Sequence, residues 1–318
     1  MRMSIRAFGI ISIVLNVLFV STIFGEGFLS SISIIKLPFV ATRVQNANFD
    51  RDIIINFMPL RERIRSFIDS QDVPVGVYFE YLPTGISVGV GEKDAYIYAS
   101  LLKVPLAMAV FELVDRGDIQ LDKNLEVLED DLDAAFGTDW MRGAHAHITV
   151  REAVERMLIY SDNTMYALLM RTSLLISDSI MLHVFDSLDI PTHVSEDKAY
   201  VTPKNYSSIL KSLYFSSLLP LSFSNEILSI LTRSPFTQYI VAGVASGVPV
   251  AHKVGVYEDD KPGISTFSDC GIVYVPRRPY ILCVMMHGTQ KDALQIMPGV
   301  SSLVYDFVSN PVSHDLKE

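Results

Sequence analysis

Hydrophobic positions change their spacing along the chain, and the changes mark out its elements. Leu60, Ile64, Phe67 and Ile68 recur at helical spacing behind Pro59, which predicts an amphipathic helix. Residues 75–82 form an apolar-rich run, Pro83-Thr84-Gly85 a turn and residues 86–90 a second run, the pattern of a β-hairpin. From Ser100 to Asp115 the chain is almost wholly apolar and stops near Gly117, which predicts a buried helix. Thr149-Val150-Arg151-Glu152 is a capping box that opens a helix through Ile159, and another helix is predicted from about Asn163 to Leu175. Strand-like runs return at 248–256, 269–275 and 280–286, and a last helix is predicted over roughly 299–309. Strands at both ends with helices between them imply an α/β (α+β) domain: an antiparallel sheet flanked by helices, with an all-α subdomain inserted.

Residues 8–24 follow a different pattern. Arg2 and Arg6 precede an apolar run broken only by Ser12, Asn16, Ser21 and Thr22. Seventeen helical residues span about 26 Å, the lower limit for crossing a bilayer, and the basic flank favours a cytoplasmic N-terminus. No small-x-small cleavage site follows, so a retained signal anchor is expected ahead of a cleaved signal peptide. The expected organisation is residues 1–7 in the cytoplasm, 8–24 as anchor or signal peptide, and 25–48 as stalk. An extracytoplasmic folded domain at 49–312 and a tail at 313–318 follow.

Composition narrows the partners. With 49% hydrophobic and 19% charged residues, the chain has enough apolar surface for a large core. A net charge of −10 without a basic cluster beyond the N-terminus excludes a nucleic-acid partner. The two cysteines, Cys270 and Cys283, fall in runs joined by Pro276-Arg277-Arg278-Pro279. A hairpin centred between Arg277 and Arg278 sets Cys270 opposite Met285 and Cys283 opposite Ile272, so both are expected as buried thiols.

Three short segments carry candidate chemistry: Ser100-Leu101-Leu102-Lys103, Ser161-Asp162-Asn163 and Lys253-Val254-Gly255. S-x-x-K alone is a weak signal, since it recurs at Ser33–Lys36, Ser195–Lys198 and Ser208–Lys211. Only Ser100 opens a long apolar helix, where the i,i+3 spacing sets Lys103 one turn along the same face. A serine hydroxyl needs a base to become a nucleophile, and a lysine serves when burial or a neighbouring cation, here Lys253, lowers its pKa. The bland alternative is a helix-capping serine with a lysine reaching to solvent. Ser161-Asp162-Asn163 lies between two helices, where it either caps the second or projects side chains into a cleft. Lys253 and Gly255 in a strand suggest close approach to the backbone; the alternative is a lysine that protects a sheet edge.

In this order the three segments resemble the class A β-lactamase and penicillin-binding-protein family of serine hydrolases, whose S-x-x-K, S-D-N and K-T-G set they match over roughly residues 61–310. The resemblance implies a β-lactamase/D,D-peptidase-like fold and a cofactor-free, metal-free acyl-enzyme mechanism. It makes Ser100 the nucleophile, Lys103 the base and Ser161 the proton relay to the leaving nitrogen. Asn163 would hold the substrate amide, Lys253 would provide electrostatics, Gly255 would belong to the substrate-binding strand, and the N–H groups of Ser100 and Val256 would form the oxyanion hole. The implied partner is a β-lactam or a peptidoglycan-derived D-alanyl peptide.

Two departures qualify this. Val254 replaces the family's threonine, and no E-x-x-L-N follows Ser161-Asp162-Asn163, which leaves Glu196 as the candidate deacylating base and makes efficient β-lactam turnover doubtful. An alternative is therefore a membrane-tethered sensor or scaffold that is acylated without turnover. Gly85-Ile86-Ser87-Val88-Gly89 also matches a nucleophile elbow, but its hairpin setting is wrong for one. His145 and His147, with Asp139 nearby, could suggest a metal, but the two histidines are expected to be solvated rather than metal ligands.

Overall fold

The computed structural model describes residues 56–259 and 265–310. The expected anchor, stalk and tail lie outside the described residues.

Helix α1 (Met58–Asp69) starts at the expected proline and buries Leu60, Ile64 and Ile68. Strands β1 (Val75–Tyr81) and β2 (Ile86–Val90) form the predicted hairpin, with Ser87 opposite Glu80 in the ladder. A two-residue strand β3 (Tyr96–Ile97) leads into a single 3-10 turn, Ala99–Leu102, before α2 (Lys103–Asp115). The predicted helix is thus divided next to Ser100, where Ala99 takes a left-handed φ of 44°.

The short strands β4 (Asn124–Glu126) and β5 (His147–Thr149) frame a loop, and α3 (Val150–Ile159), α4 (Asn163–Ile176) and α5 (Ile180–Ser187) follow. Thr149 caps α3 as its sequence predicts, accepting the Glu152 N–H. Strands β6 (His193–Ser195) and β7 (Lys198–Val201) pair with β3 in a small sheet, and α6 (Pro203–Phe215) and α7 (Leu221–Leu231) close the helical region. Strands β8 (Val250–Tyr257), β9 (Thr266–Val273) and β10 (Tyr280–His287) and helix α8 (Gln290–Ser309) complete the described chain. Helix α8 begins nine residues before the expected Gly299, because a Thr289–Asp292 capping box starts it and Pro298 is accommodated inside it.

The main sheet is antiparallel, in the order β2-β1-β10-β9-β8, so the first and last strands of the chain meet as expected. One apolar cluster joins α1, α8 and one sheet face; another joins the opposite face to α2, α6 and the rest of the helical subdomain. Helix α2 is buried along almost its whole length and forms the axis of that subdomain. β8 is an edge strand, and the Ala99–Leu102 turn packs beside it.

The β9–β10 register corrects the cysteine expectation. Cys270 lies directly opposite Cys283, because the turn is centred between Pro276 and Arg277, where Arg277 supplies a left-handed φ of 65°. Both are free, fully buried thiols whose pKa values are raised, chiefly by burial. An aqueous thiol reagent is expected to find no thiol in the native protein and two after denaturation. Two missing thiols after denaturation without reductant would reveal a bond between them.

Candidate active site

The site lies where the helical subdomain meets β8. Ser100 is half-buried in the 3-10 turn, and Lys103, at the start of α2, is 2% exposed. Lys103 Nζ lies 2.9 Å from Ser100 Oγ, 2.6 Å from Ser161 O, 2.7 Å from Asn163 Oδ1 and 3.2 Å from Ser161 Oγ. Ser161 O and Asn163 Oδ1 can only accept. A neutral amine has two hydrogens for those two acceptors, and its lone pair is then left to receive the Ser100 hydroxyl proton.

Burial lowers the pKa of Lys103 to about 8, against the opposing pull of Asp162 and Asp133. The expectation that the Lys253 charge depresses Lys103 is thereby corrected: desolvation dominates there. Lys253 is itself pushed well below the ordinary lysine range, by burial first and then by repulsion from the Lys103 charge. Lys253 Nζ donates to Ser161 Oγ at 2.8 Å and to Val254 O at 2.9 Å. Although β8 is an edge strand, Lys253 is 1% exposed, so it does not guard the edge against aggregation. Ser161 Oγ thus stands between the two amines.

Backbone geometry aims these groups. Ser161 has a left-handed φ of 57°, a strained conformation for a residue with a Cβ, and its carbonyl is the closest acceptor of Lys103. The Asp162 carboxylate caps α4 through the Met165 N–H at 3.0 Å and also accepts the N–H groups of Thr138 and Asp139 at 2.8 and 2.9 Å. It therefore fastens the loop after β4 to the helix that carries Asn163. Gly137 allows that approach, since a Cβ there would fall 2.1 Å from Asp162 Oδ2.

Gly255 permits the other close approach inferred from its strand setting. A Cβ on it would lie 3.0 Å from Leu101 Cγ and 3.1 Å from Tyr98 O, against the turn that holds Ser100. Gly255→Ala is expected to slow acylation of Ser100 several-fold with the fold retained. That is less than the about 10²-fold that a full ångström of misplacement can cost. Stopped-flow acylation kinetics beside circular dichroism checks this.

The structure therefore brings Ser100, Lys103, Ser161, Asn163 and Lys253 together, with Gly255 against the turn that holds Ser100 and Val256 on the cavity wall. It does not bring Glu196 there. Ser195 pairs with Lys198, so Glu196 and Asp197 form an exposed two-residue turn, both at left-handed φ, and Glu196 is not part of the cavity wall.

Two neighbours were not legible as site residues. Asp133 Oδ2 accepts from Asn163 Nδ2 at 3.2 Å and so fixes that amide's orientation, and the Tyr166 ring lies 5.8 Å from Lys103 Nζ. Asp133 carries no motif signal. Tyr166 is one turn beyond Asn163 on α4, a spacing that could have drawn attention to it. His145 pairs with Glu126, and Asp139 with Arg142 and Arg156; among the described residues no cluster of three or more metal-ligating side chains occurs.

A cavity of about 470 Å³ opens onto Ser100, Ser161 and Asn163. Phe136 and Phe236 meet on its wall with ring centroids 5.8 Å apart and planes tilted by 47°, and Tyr239, Val254, Val256 and Phe267 also line it.

Comparison with known proteins bears on this geometry. A model of the beta-lactamase enzyme family matches residues 59–308. No curated protein matches the chain. The solved structure of PBP-A superposes with a TM-score of 0.72 at 22% identity, covering 80% of this chain and 97% of that one. A PBP-A mutant in an acyl-enzyme complex with penicillin G gives 0.71 at 23%, covering 79% and 97%. A beta-lactamase from Chitinophaga pinensis DSM 2588 gives 0.70 at 19%, covering 78% and 98%. At these identities the likeness is one of fold.

Proposed function

The chain belongs to the beta-lactamase enzyme family, a serine-hydrolase assignment from which we propose that Ser100 forms an acyl-enzyme with β-lactams or D-alanyl peptides and releases it slowly. The observation that carries this reading is the bond from Lys103 Nζ to Ser100 Oγ at 2.9 Å, made by an amine with a depressed pKa. Lys103 takes the hydroxyl proton as the Oγ–carbonyl carbon bond forms. The carbon–nitrogen bond then breaks, and the proton passes through Ser161, which touches both amines, to the leaving nitrogen. The Ser100 N–H, in the first turn of its 3-10 element, and the Val256 N–H are the oxyanion donors in this scheme.

Release requires water to attack the acyl carbon, and a positioned carboxylate would be its natural base. Among the described residues no carboxylate hydrogen-bonds to Ser100 or Lys103. That same observation favours a second reading, an acylated sensor or scaffold that does not turn over. The apolar run at residues 8–24 supports a membrane-anchored, extracytoplasmic setting for either role. Among the described residues no single helix is long and apolar enough to cross a membrane.

A fluorescent penicillin separates the cases. The account expects label that survives denaturation, maps to the peptide containing Ser100 and clears over minutes to hours. Clearance within seconds would indicate a true β-lactamase, permanent label the sensor, and absence of label would remove penicillin-like donors from the proposal.

A further inference from the structure

Where β8 and β9 form it, the cavity wall beside Ser100 is largely apolar. Val256 lies directly opposite Phe267 across β8 and β9, and Val254, two residues along, shares their face. With Tyr239 these side chains make an apolar patch, and the Glu258 carboxylate lies on the wall with them. Gln238 and Gln290, also on the wall, are uncharged. Among the described residues no arginine, lysine or histidine lines the cavity. Lys253 is committed to Ser161 Oγ and Val254 O beneath it, and Lys103 to the Ser100 and Asn163 cluster.

Among the described residues, a carboxylate bound here would exchange water for uncharged donors alone and would face a like charge. A neutral group would meet the valines and aromatic rings at no such cost. We infer that the acyl donor carries no free carboxylate beside its scissile bond, and that Val254, Phe267 and Glu258 select a neutral ester or amide with an apolar flank. This rests on the acyl-enzyme reading and narrows its substrates. It favours an internal D-alanyl bond over a C-terminal one, and a β-lactam ester over the free acid.

The test is a matched pair of benzoyl-D-alanyl thioesters, one with a leaving group ending in a free carboxylate and the other its methyl ester. Acylation joins Ser100 Oγ to the acyl carbon, breaks the carbon–sulfur bond and sends the hydroxyl proton, by way of Lys103, to the departing thiolate. Released thiol gives the rate, and intact mass reports the adduct on Ser100.

The methyl ester should acylate at least about tenfold faster than the acid, because only the acid must desolvate an unpaired charge. Glu258→Gln, at an exposed position, and Val254→Thr should each move the acid-to-ester ratio toward the acid. An acid that reacts as fast as the ester or faster overturns the inference and leaves the acyl-enzyme standing. A ratio that neither substitution moves overturns the assignment to these residues. If neither thioester modifies Ser100, the acyl-enzyme reading falls and this inference falls with it.

Discussion

Lys103→Ala slows acylation of an intact Ser100 by about 10²–10⁴-fold, the range that general-base catalysis supplies. Ser100→Ala is expected to remove covalent capture altogether. The lysine effect follows from the accounting of its hydrogens. Four oxygen atoms surround Nζ, two of which can only accept, and those two are the nearest. The unprotonated amine satisfies both and keeps its lone pair for the nucleophile.

Alanine removes the base and also leaves Ser161 O and Asn163 Oδ1 without their donor. Lys103→Arg separates these effects, because a guanidinium still donates to both oxygens but stays charged. It should restore part of the lost stability and almost none of the lost rate. Chemical denaturation and stopped-flow acylation, run on the same three proteins, measure the two quantities.

Asp162→Ala should destabilise the protein by about 3–5 kcal/mol, the combined scale of a lost helix cap and two further orphaned N–H groups. One buried carboxylate holds the Met165, Thr138 and Asp139 N–H groups, so its loss frees the first turn of α4 and the loop after β4 together. That loop carries Asp133, which orients Asn163, so acylation should weaken as well. Asp162→Asn keeps one acceptor oxygen but turns an NH₂ group toward one set of donors, and should fall between the two. A urea titration of the three forms checks the order; an alanine variant within 1 kcal/mol of the parent would show that other contacts hold the loop.

Much of this was legible in the chain. The boundaries of α3 and β2 follow from the Thr149 capping box and from the turn after Pro83, both local signals. Ser100, Lys103, Ser161, Asn163 and Lys253 were identifiable because their chemistry depends on residue type and order. The misses have physical causes. Moving the centre of a β-turn by one residue shifts cross-strand partners by two, which leaves every side chain on the same face. Alternation therefore could not distinguish Cys283 from Met285 as the partner of Cys270, and the left-handed Arg277 decided it. Glu196 was chosen as a nearby carboxylate, but β6 and β7 are joined by a tight loop that leaves it exposed. Asp133, Phe136 and Phe236 lie on loops without periodicity, so their arrival at the site depends on tertiary folding alone. The last helix was expected only from about Gly299, but the Thr289–Asp292 box and the packing of α8 against the sheet start it at Gln290 and carry it through Pro298.

The pH dependence of single-turnover acylation tests the central claim most directly, because only the unprotonated Lys103 can accept the Ser100 proton. With the lysine pKa lowered to about 8, the rate should rise with pH, tenfold per unit below that value, and level off above it. The same rise should be absent from the residual rate of Lys103→Arg. A rate independent of pH between about 6 and 10, a window that spans the lowered lysine value, or an unchanged profile in Lys103→Arg, would mean that another group activates the serine.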